Sequence, residues 1–161
     1  MNKDKNERHE IFQEWLEDVV NEKTRQYIQE RVLKQMEWYH IKSNLYKAKY
    51  QRWMTVSIIL SGGIPVASVF ADGGVISKVI IAALGATVTG ITTYLSSRNY
   101  KELWNIYRVN REMLLSTLYL YFNNVGIFKN DMEQDDRDAM LIDMCEKCFQ
   151  QDYNSWKNVI E

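Results

Sequence analysis

The chain has 161 residues, of which 25% are charged, and its 20 Lys and Arg nearly balance its 21 Asp and Glu. The formal net charge of -1 gives no basic excess of the kind that binds phosphate backbones, so we expect no nucleic-acid partner. The mean hydropathy of -0.39 is that of a polar protein, which means that the apolar character is concentrated in one region, residues 53–97.

The first 26 residues are polar and predict one short helix. Residues 1–10 are nearly all charged or polar, and no long apolar stretch follows them, so we expect no cleavable signal peptide. Apolar side chains then recur at helical spacing: Ile11, Trp15, Leu16, Val19 and Val20.

Residues 27–52 predict a long amphipathic helix, here called the first arm. One stripe of side chains steps by three or four residues along it: Ile28, Val32, Met36, Tyr39, Ser43, Tyr46, Tyr50 and Trp53. No Pro or Gly lies between Met1 and Leu60, so nothing in the sequence requires a break before the apolar region.

Two uncharged stretches of 19 residues follow, at 53–71 and 79–97. A helix of that length rises about 28 Å, close to the thickness of the hydrocarbon core of a bilayer. We therefore predict two membrane spans, residues 53–71 and 75–97, joined by the turn-forming residues 72–74. The alternative is a buried helical pair in a soluble protein. Pro65, close to two glycines, predicts a kink or an early end of the first span.

Basic side chains flank the two spans on one side only, and they predict the orientation. They precede the first span and follow the second: Lys42, Lys47, Lys49, Arg52, Arg98, Lys101 and Arg108. The turn offers only Lys78, set against Asp72. Both termini are therefore expected to be cytoplasmic, with Trp53 and Tyr94 at the same depth in an aromatic belt.

Residues 98–128 predict a second arm that mirrors the first and runs on from the second span. Its stripe comprises Tyr100, Leu103, Tyr107, Arg111, Leu114, Leu118, Tyr121 and Val125. Arg111 is the charged exception and requires an acidic partner. Gly126 is expected to end this arm, and residues 130–161 predict an acidic final helix that begins with a capping pattern, Asn130 and Glu133.

The spans carry small and hydroxyl-bearing residues at spacings that suit contacts between helices. The predicted pore-lining or helix-contact residues are Ser57, Ser61, Ala82, Gly85, Ala86, Thr89, Gly90, Thr92 and Ser96. Small residues four apart let a second helix approach closely, whereas hydroxyls bond back to their own backbone, bond to another helix or line water. No ionisable residue lies in the interior of either span, away from Lys78 at the turn end of the second, which argues against a carrier and makes any conduction depend on an oligomer.

The sequence gives no pattern of catalytic residues, and we predict neither an enzyme nor a bound cofactor. His9 and His40 are the only histidines, and no phosphate-binding glycine loop is present. Cys145 and Cys148 form a single C-x-x-C, which supplies two of the four ligands that a structural zinc site needs. We interpret them as reduced thiols and predict no metal site; the alternative is a metal bridged between two subunits.

Short motifs on both sides of the spans resemble the SLATT family of bacterial two-span proteins, which are associated with SMODS nucleotidyltransferases and SLOG domains. The motifs are Glu37-Trp38-Tyr39, Lys47-Ala48, Trp104, Tyr107-Arg108 and Glu112, and the resemblance covers about residues 25–128. It implies an effector in antiviral defence by abortive infection, acting on the bacterial inner membrane when a linked sensor or a nucleotide second messenger triggers it. His40 departs from the acidic residue expected at that position.

A group of second-arm residues shares one helical side: Trp104, Tyr107, Arg108, Arg111 and Glu112. This group forms either a polar network to the first arm or, through Arg108 and Arg111 with Lys47 or Lys49 opposite, a site for an anionic nucleotide or lipid headgroup.

The sequence thus predicts an all-α membrane protein of one domain, a two-span transmembrane hairpin with long cytoplasmic arms and short terminal helices. We expect it to work in the lipid bilayer as a homo-oligomeric effector that permeabilises or perturbs the membrane. The alternative is a membrane-anchored scaffold or sensor module without a pore.

Overall fold

The computed structural model describes residues 12, 14–17, 19–71, 74–129 and 132–160, and every regular element in these ranges is helical. The elements are α1 (Glu22–Tyr27), a π-helical segment (Ile28–Leu33), α2 (Lys34–Val69), α3 (Val75–Ser97), α4 (Tyr100–Phe122) and α5 (Gln134–Ile160). Residues 12 and 14–17 are also helical. The predicted all-helical class is confirmed.

The first arm begins earlier than the sequence pattern indicated. The Asn21 side chain accepts a hydrogen bond from the Lys23 backbone N–H at 3.1 Å and caps α1. Helix then continues through the π-helical segment and α2 to Val69 without interruption. Residues 22–26 therefore belong to the first arm. Pro65 lies inside α2, so the early end that it predicted is wrong.

The second arm is not continuous with the second apolar helix, contrary to the prediction that it runs straight on from it. Asn99 adopts φ 49° and ψ 31° in the left-handed region, and it separates α3 from α4. Asn tolerates this conformation better than most residues with a Cβ. The carbonyl of Asn99 accepts from the Leu103 N–H at 3.0 Å, so the same residue that ends α3 starts α4.

The arms pack antiparallel, and their contacts follow the predicted stripes. The aromatic rings of Tyr39 and Tyr107 stack with centroids 6.0 Å apart, and further along those of Trp53 and Tyr94 meet at 6.2 Å. The contact of Trp53 with Tyr94 agrees with their predicted common depth. On the second stripe, Asn110 takes the buried position in place of Arg111, and Val125 is exposed.

The hydrophobic core lies entirely at the polar end of the molecule. Both arms and α5 contribute to it, together with the N-terminal segment; its fully buried members include Ile28, Val32, Tyr39, Leu114, Leu118, Phe128, Leu141 and Cys145. From the N-terminal segment, Leu16 and Val19 are buried but Val20 is exposed. The core thus joins four chain segments into one bundle.

Among the described residues of the apolar region only one apolar side chain, Leu95, is buried, and it lies outside the main core cluster. Within the described residues two helices, Glu22–Val69 and Val75–Phe122 with its turn at Asn99, are long and apolar enough to cross a membrane. Almost none of their most apolar side chains is buried. Val69, Phe70 and Val75 are 79%, 82% and 77% exposed.

The second arm ends before Gly126. α4 stops at Phe122, and Asn124 takes the left-handed conformation at φ 55°, with Gly126 following at φ 67°. Asn123 and Asn124 therefore end the helix, and the turn continues through Gly126. The Glu133 carbonyl accepts from the Arg137 N–H at the start of α5, whereas Asn130 of the predicted cap lies outside the described residues.

Candidate functional site

The second apolar helix, α3, has an inner and an outer face. The inner face packs toward α2, and its side chains are buried or half-buried: Ile81, Leu84, Val88, Ile91 and Leu95. The opposite side of the helix carries small and hydroxyl-bearing residues that are all exposed, and we call it the outer strip: Ala82, Ala86, Thr89, Gly90 and Thr93. The sequence predicted most of these residues as contact candidates, and the structure places them away from the chain's own α2.

Several hydroxyl groups of the apolar helices bond to their own backbones. The Thr89 hydroxyl donates to the Gly85 carbonyl at 3.0 Å, and the Thr92 hydroxyl donates to that of Val88 at 3.1 Å. The Ser61 hydroxyl donates in the same way to the Ile58 carbonyl at 3.0 Å. Each hydroxyl oxygen keeps an acceptor position, so it can still receive a bond from water or another chain.

The serines in the apolar part of α2 do not share one environment. Ser57 is buried and lies on the side of α2 that meets the rest of the chain, whereas Ser61, one turn further, is exposed. Near the contact of Trp53 with Tyr94, at the same end of the helix pair as Ser57, four side chains line a shallow open groove: Thr92, Thr93, Ser96 and Ser97. This groove lies where α3 approaches the Asn99 turn.

The glycines of α3 have no packing role within one chain. A Cβ built on Gly85 or Gly90 would meet no atom within 4 Å, counting contacts among the described residues. Helix interiors disfavour Gly by about 1 kcal/mol relative to Ala. Within one chain nothing packs closely enough against these glycines to offset this loss of helix stability. A close approach by another helix would offset it, and this gives a physical reason for the glycines.

The group predicted on the second arm is divided between two environments. Tyr107 is buried in an aromatic stack, with its ring 5.2 Å from that of Trp38 and 5.8 Å from that of Tyr46. Burial raises the pKa of Tyr107 to about 12, so it stays neutral at physiological pH. Trp104 faces the first arm, and the Lys47 ammonium lies over its ring, 5.5 Å from the ring centroid.

The charged members of that group point away from the aromatic stack. Arg111 forms an ion pair with Glu112, its neighbour in sequence, at 2.8 Å, which supplies the acidic partner that the sequence required. Arg108 is exposed. The structure therefore brings Lys47 and Trp104 together but does not join all the members in one network.

The centre of the polar bundle contains a carboxylate that sequence reasoning missed. Asp138 of α5 is buried and accepts hydrogen bonds from three side chains: Thr24 at 2.8 Å, Tyr121 at 2.5 Å and Gln134 at 2.7 Å. Because Thr24 lies on the first arm and Tyr121 on the second, Asp138 links three helices through one side chain. In the sequence Asp138 stands between the acidic first turn of α5 and Met140. Nothing in that local pattern distinguishes it from an acidic residue on the surface.

A second carboxylate, Asp152, lies near the thiols. It accepts from the Asn110 amide at 2.6 Å, and burial raises its pKa. Burial also raises the pKa of Cys145 to about 12 and that of Cys148 to about 11. Both thiols are free, and no group of three metal-binding side chains occurs among the described residues. This part of the bundle has the character of a packed core.

The architecture defines a class of protein: two long antiparallel helical rods, apolar and exposed at one end, with a polar helical bundle at the other. A family model described as "protein of unknown function (DUF4231)" matches residues 34–136, and the chain belongs to that family. The match begins with α2 and ends at the start of α5, so it includes both apolar helices and both arms. No curated protein matches the chain. No solved structure matches it.

Proposed function

We propose that this protein is a two-span membrane protein that assembles into a homo-oligomer and permeabilises or perturbs the bilayer. The observation that carries the proposal is the exposure of the apolar helices. A soluble protein would bury helices of this length and hydropathy, whereas here many of their large side chains are exposed and the main hydrophobic core lies elsewhere.

The outer strip of α3 supports assembly through the second span. Ala82, Ala86 and Gly90 face away from α2 at intervals of one helical turn, and the glycine meets nothing within the described chain. Small residues at this spacing allow close packing of helices in lipid, where van der Waals contact is a principal driving force. Two spans are too few to enclose a pathway, so a pore requires several copies.

The resemblance to SLATT proteins gives the proposal its context. In that context the protein lies in the bacterial inner membrane with both termini cytoplasmic, and it acts in antiviral defence under a linked sensor or a nucleotide signal. The basic residues that flank both apolar helices favour the same orientation.

Dye release from liposomes containing the full chain tests the proposal, with Thr89→Leu and Thr87→Leu as a matched pair. Both threonines are exposed and donate to a backbone carbonyl one turn earlier, so the two substitutions change the same chemistry. They differ by about 200° around the helix, and only Thr89 lies on the outer strip.

We expect release that rises steeply with protein density, falls with Thr89→Leu and persists with Thr87→Leu. Equal effects of the two substitutions would contradict a pore built on the outer strip. Intact liposomes at every density, with the protein resistant to carbonate extraction, would favour the scaffold or sensor alternative. Extraction by carbonate would contradict membrane insertion.

A further inference from the structure

The described cations of this protein differ in the partners that the structure gives them. Among the described residues, five cations of the polar bundle are paired with carboxylates. The described ion pairs are Arg25 with Glu22, Arg31 with Glu146, Lys34 with Glu30, Arg111 with Glu112, and Lys147 with Asp143. All the residues of these ion pairs lie outside residues 38–110, so none of them lies next to the apolar helices.

A second group lies where the arms meet the apolar helices, and we call its members the junction cations: Lys47, Lys49, Arg52, Arg98 and Lys101. No ion pair with a described carboxylate involves any of them. The sequence explains why. There is no Asp or Glu from residue 38 to residue 71, and Glu102 is the only one from residue 79 to residue 111.

Aromatic rings, rather than carboxylates, hold several of these cations. The Lys47 ammonium lies 5.5 Å from the centroid of the Trp104 ring, and that of Lys49 lies 5.9 Å from the Tyr100 ring. The Arg98 guanidinium lies 5.7 Å from the Tyr94 ring. A ring positions a cation but leaves its charge uncompensated, in contrast to an ion pair. The junction therefore carries fixed positive charge that is available to an external anion.

The position of the junction cations selects the anion. All five lie within six residues of the predicted span limits, so within about 9 Å of helical rise, which is comparable to the depth of a headgroup layer and to one Debye length. The ring contact between Trp53 and Tyr94 lies at the same level, where amphipathic rings favour the interface.

We propose that the junction cations bind the phosphate groups of anionic phospholipids, so that the polar bundle is held against an anionic leaflet. This inference rests on the proposed membrane insertion, but not on the proposed pore. The aromatic contacts hold the cations in place before lipid binds, because Lys47 and Lys49 reach from the first arm to rings on the second arm. Lipid binding at the junction would thereby bridge the two arms.

A lipid titration of the full-length protein tests the proposal. The protein is purified in non-ionic detergent, and native mass spectrometry measures the affinity for phosphatidylglycerol relative to phosphatidylcholine. The junction variant carries Lys47→Gln, Lys49→Gln and Lys101→Gln. The matched control carries Lys23→Gln, Lys34→Gln and Lys147→Gln, which removes the same charge from exposed positions in the polar bundle.

We expect the wild type and the control to prefer phosphatidylglycerol, and the junction variant to lose about fivefold of that preference for each lysine replaced. Circular dichroism checks that both variants remain folded. Equal preferences in the two variants would overturn the proposal, and so would displacement of the lipid by millimolar inorganic phosphate, since the site would then accept any phosphate.

Carbonate extraction and dye release separate this inference from the proposed function. If the wild type is extracted by carbonate, both are wrong. If it is inserted and shows the expected lipid preference but releases no dye, the pore is wrong and the lipid site stands. If it releases dye with no preference for phosphatidylglycerol, the lipid site alone is wrong.

Discussion

Replacement of Asp138 by Ala should strongly destabilise the polar bundle. The buried carboxylate of Asp138 accepts from Thr24, Tyr121 and Gln134, and two of these donors are themselves buried. The substitution leaves the buried Thr24 and Tyr121 hydroxyls without this acceptor. A buried donor left without a partner costs about 1–3 kcal/mol, so the two together predict a loss of about 3–5 kcal/mol in the free energy of unfolding.

Asp143→Ala provides the matched control on the same helix. Asp143 is exposed and pairs with Lys147 one turn later at 2.6 Å. Such pairs contribute about 0.3–0.5 kcal/mol, so this variant should lose less than about 1 kcal/mol. Both substitutions replace Asp by Ala on α5, and the comparison therefore isolates burial and partner number from helix propensity and charge.

Thermal unfolding in detergent, followed by circular dichroism, measures the difference. For a chain of this size each kcal/mol lowers Tm by about 2–4 °C, so Asp138→Ala should unfold about 6–20 °C below the wild type. Limited proteolysis should also cut α5 sooner in this variant, since Asp138 links α5 to both arms. A Tm within about 2 °C of the Asp143→Ala value would refute the reasoning, because it would mean that the buried hydrogen bonds contribute no more than an exposed ion pair.

Two further predictions concern the half of the bundle around Asp152 and the thiols. Because burial raises the pKa of Asp152 in the folded state, this group favours folding below its unfolded pKa of about 3.9 and loses that contribution as the pH rises through its folded value. Asp152→Asn, which cannot ionise, should therefore raise Tm at pH 7 relative to the wild type by more than it does at pH 4; an equal effect at both values would contradict a raised pKa. Burial raises the pKa of Cys148 from 9.0 to about 11, and this lowers its reactive thiolate fraction about hundredfold. The pKa of Cys145 is raised further, to about 12. Alkylation by iodoacetamide at pH 8 should accordingly be at least about a hundredfold slower in the folded protein than in the denatured one, and rapid labelling of the native chain would refute the buried placement of both thiols.

The sequence by itself determined the helices and their buried stripes. Ile28, Val32, Met36 and Tyr39 recur at helical spacing, and all four are buried. The second apolar helix has the predicted bounds, Val75–Ser97. These features follow from the order of residues along one helix. The spacing of apolar residues determines which side chains share a face, and a run of 19 uncharged residues marks the segment that is most apolar.

Local rules failed where the backbone adopted a less common conformation. Asn99 separates α3 from α4 with a positive φ, although neither Gly nor Pro marks the position. In the first span the opposite error occurred, since α2 continues through Pro65. The π-helical segment Ile28–Leu33 gave no pattern either. Packing of the whole bundle determines the backbone conformation at such positions, because the free energy of packing outweighs the conformational preference of a single residue.

Only the tertiary structure decided how the helices are rotated and which side chains meet across them. The spacing of Ala82, Ala86 and Gly90 predicted a contact face, but not that it points away from α2. Likewise, Asp138 meets Thr24 across 114 positions of sequence, and Asn110 rather than Arg111 faces the core. A one-residue shift rotates a helix face by about 100°, so contacts between distant segments depend on register and rotation that no local pattern contains.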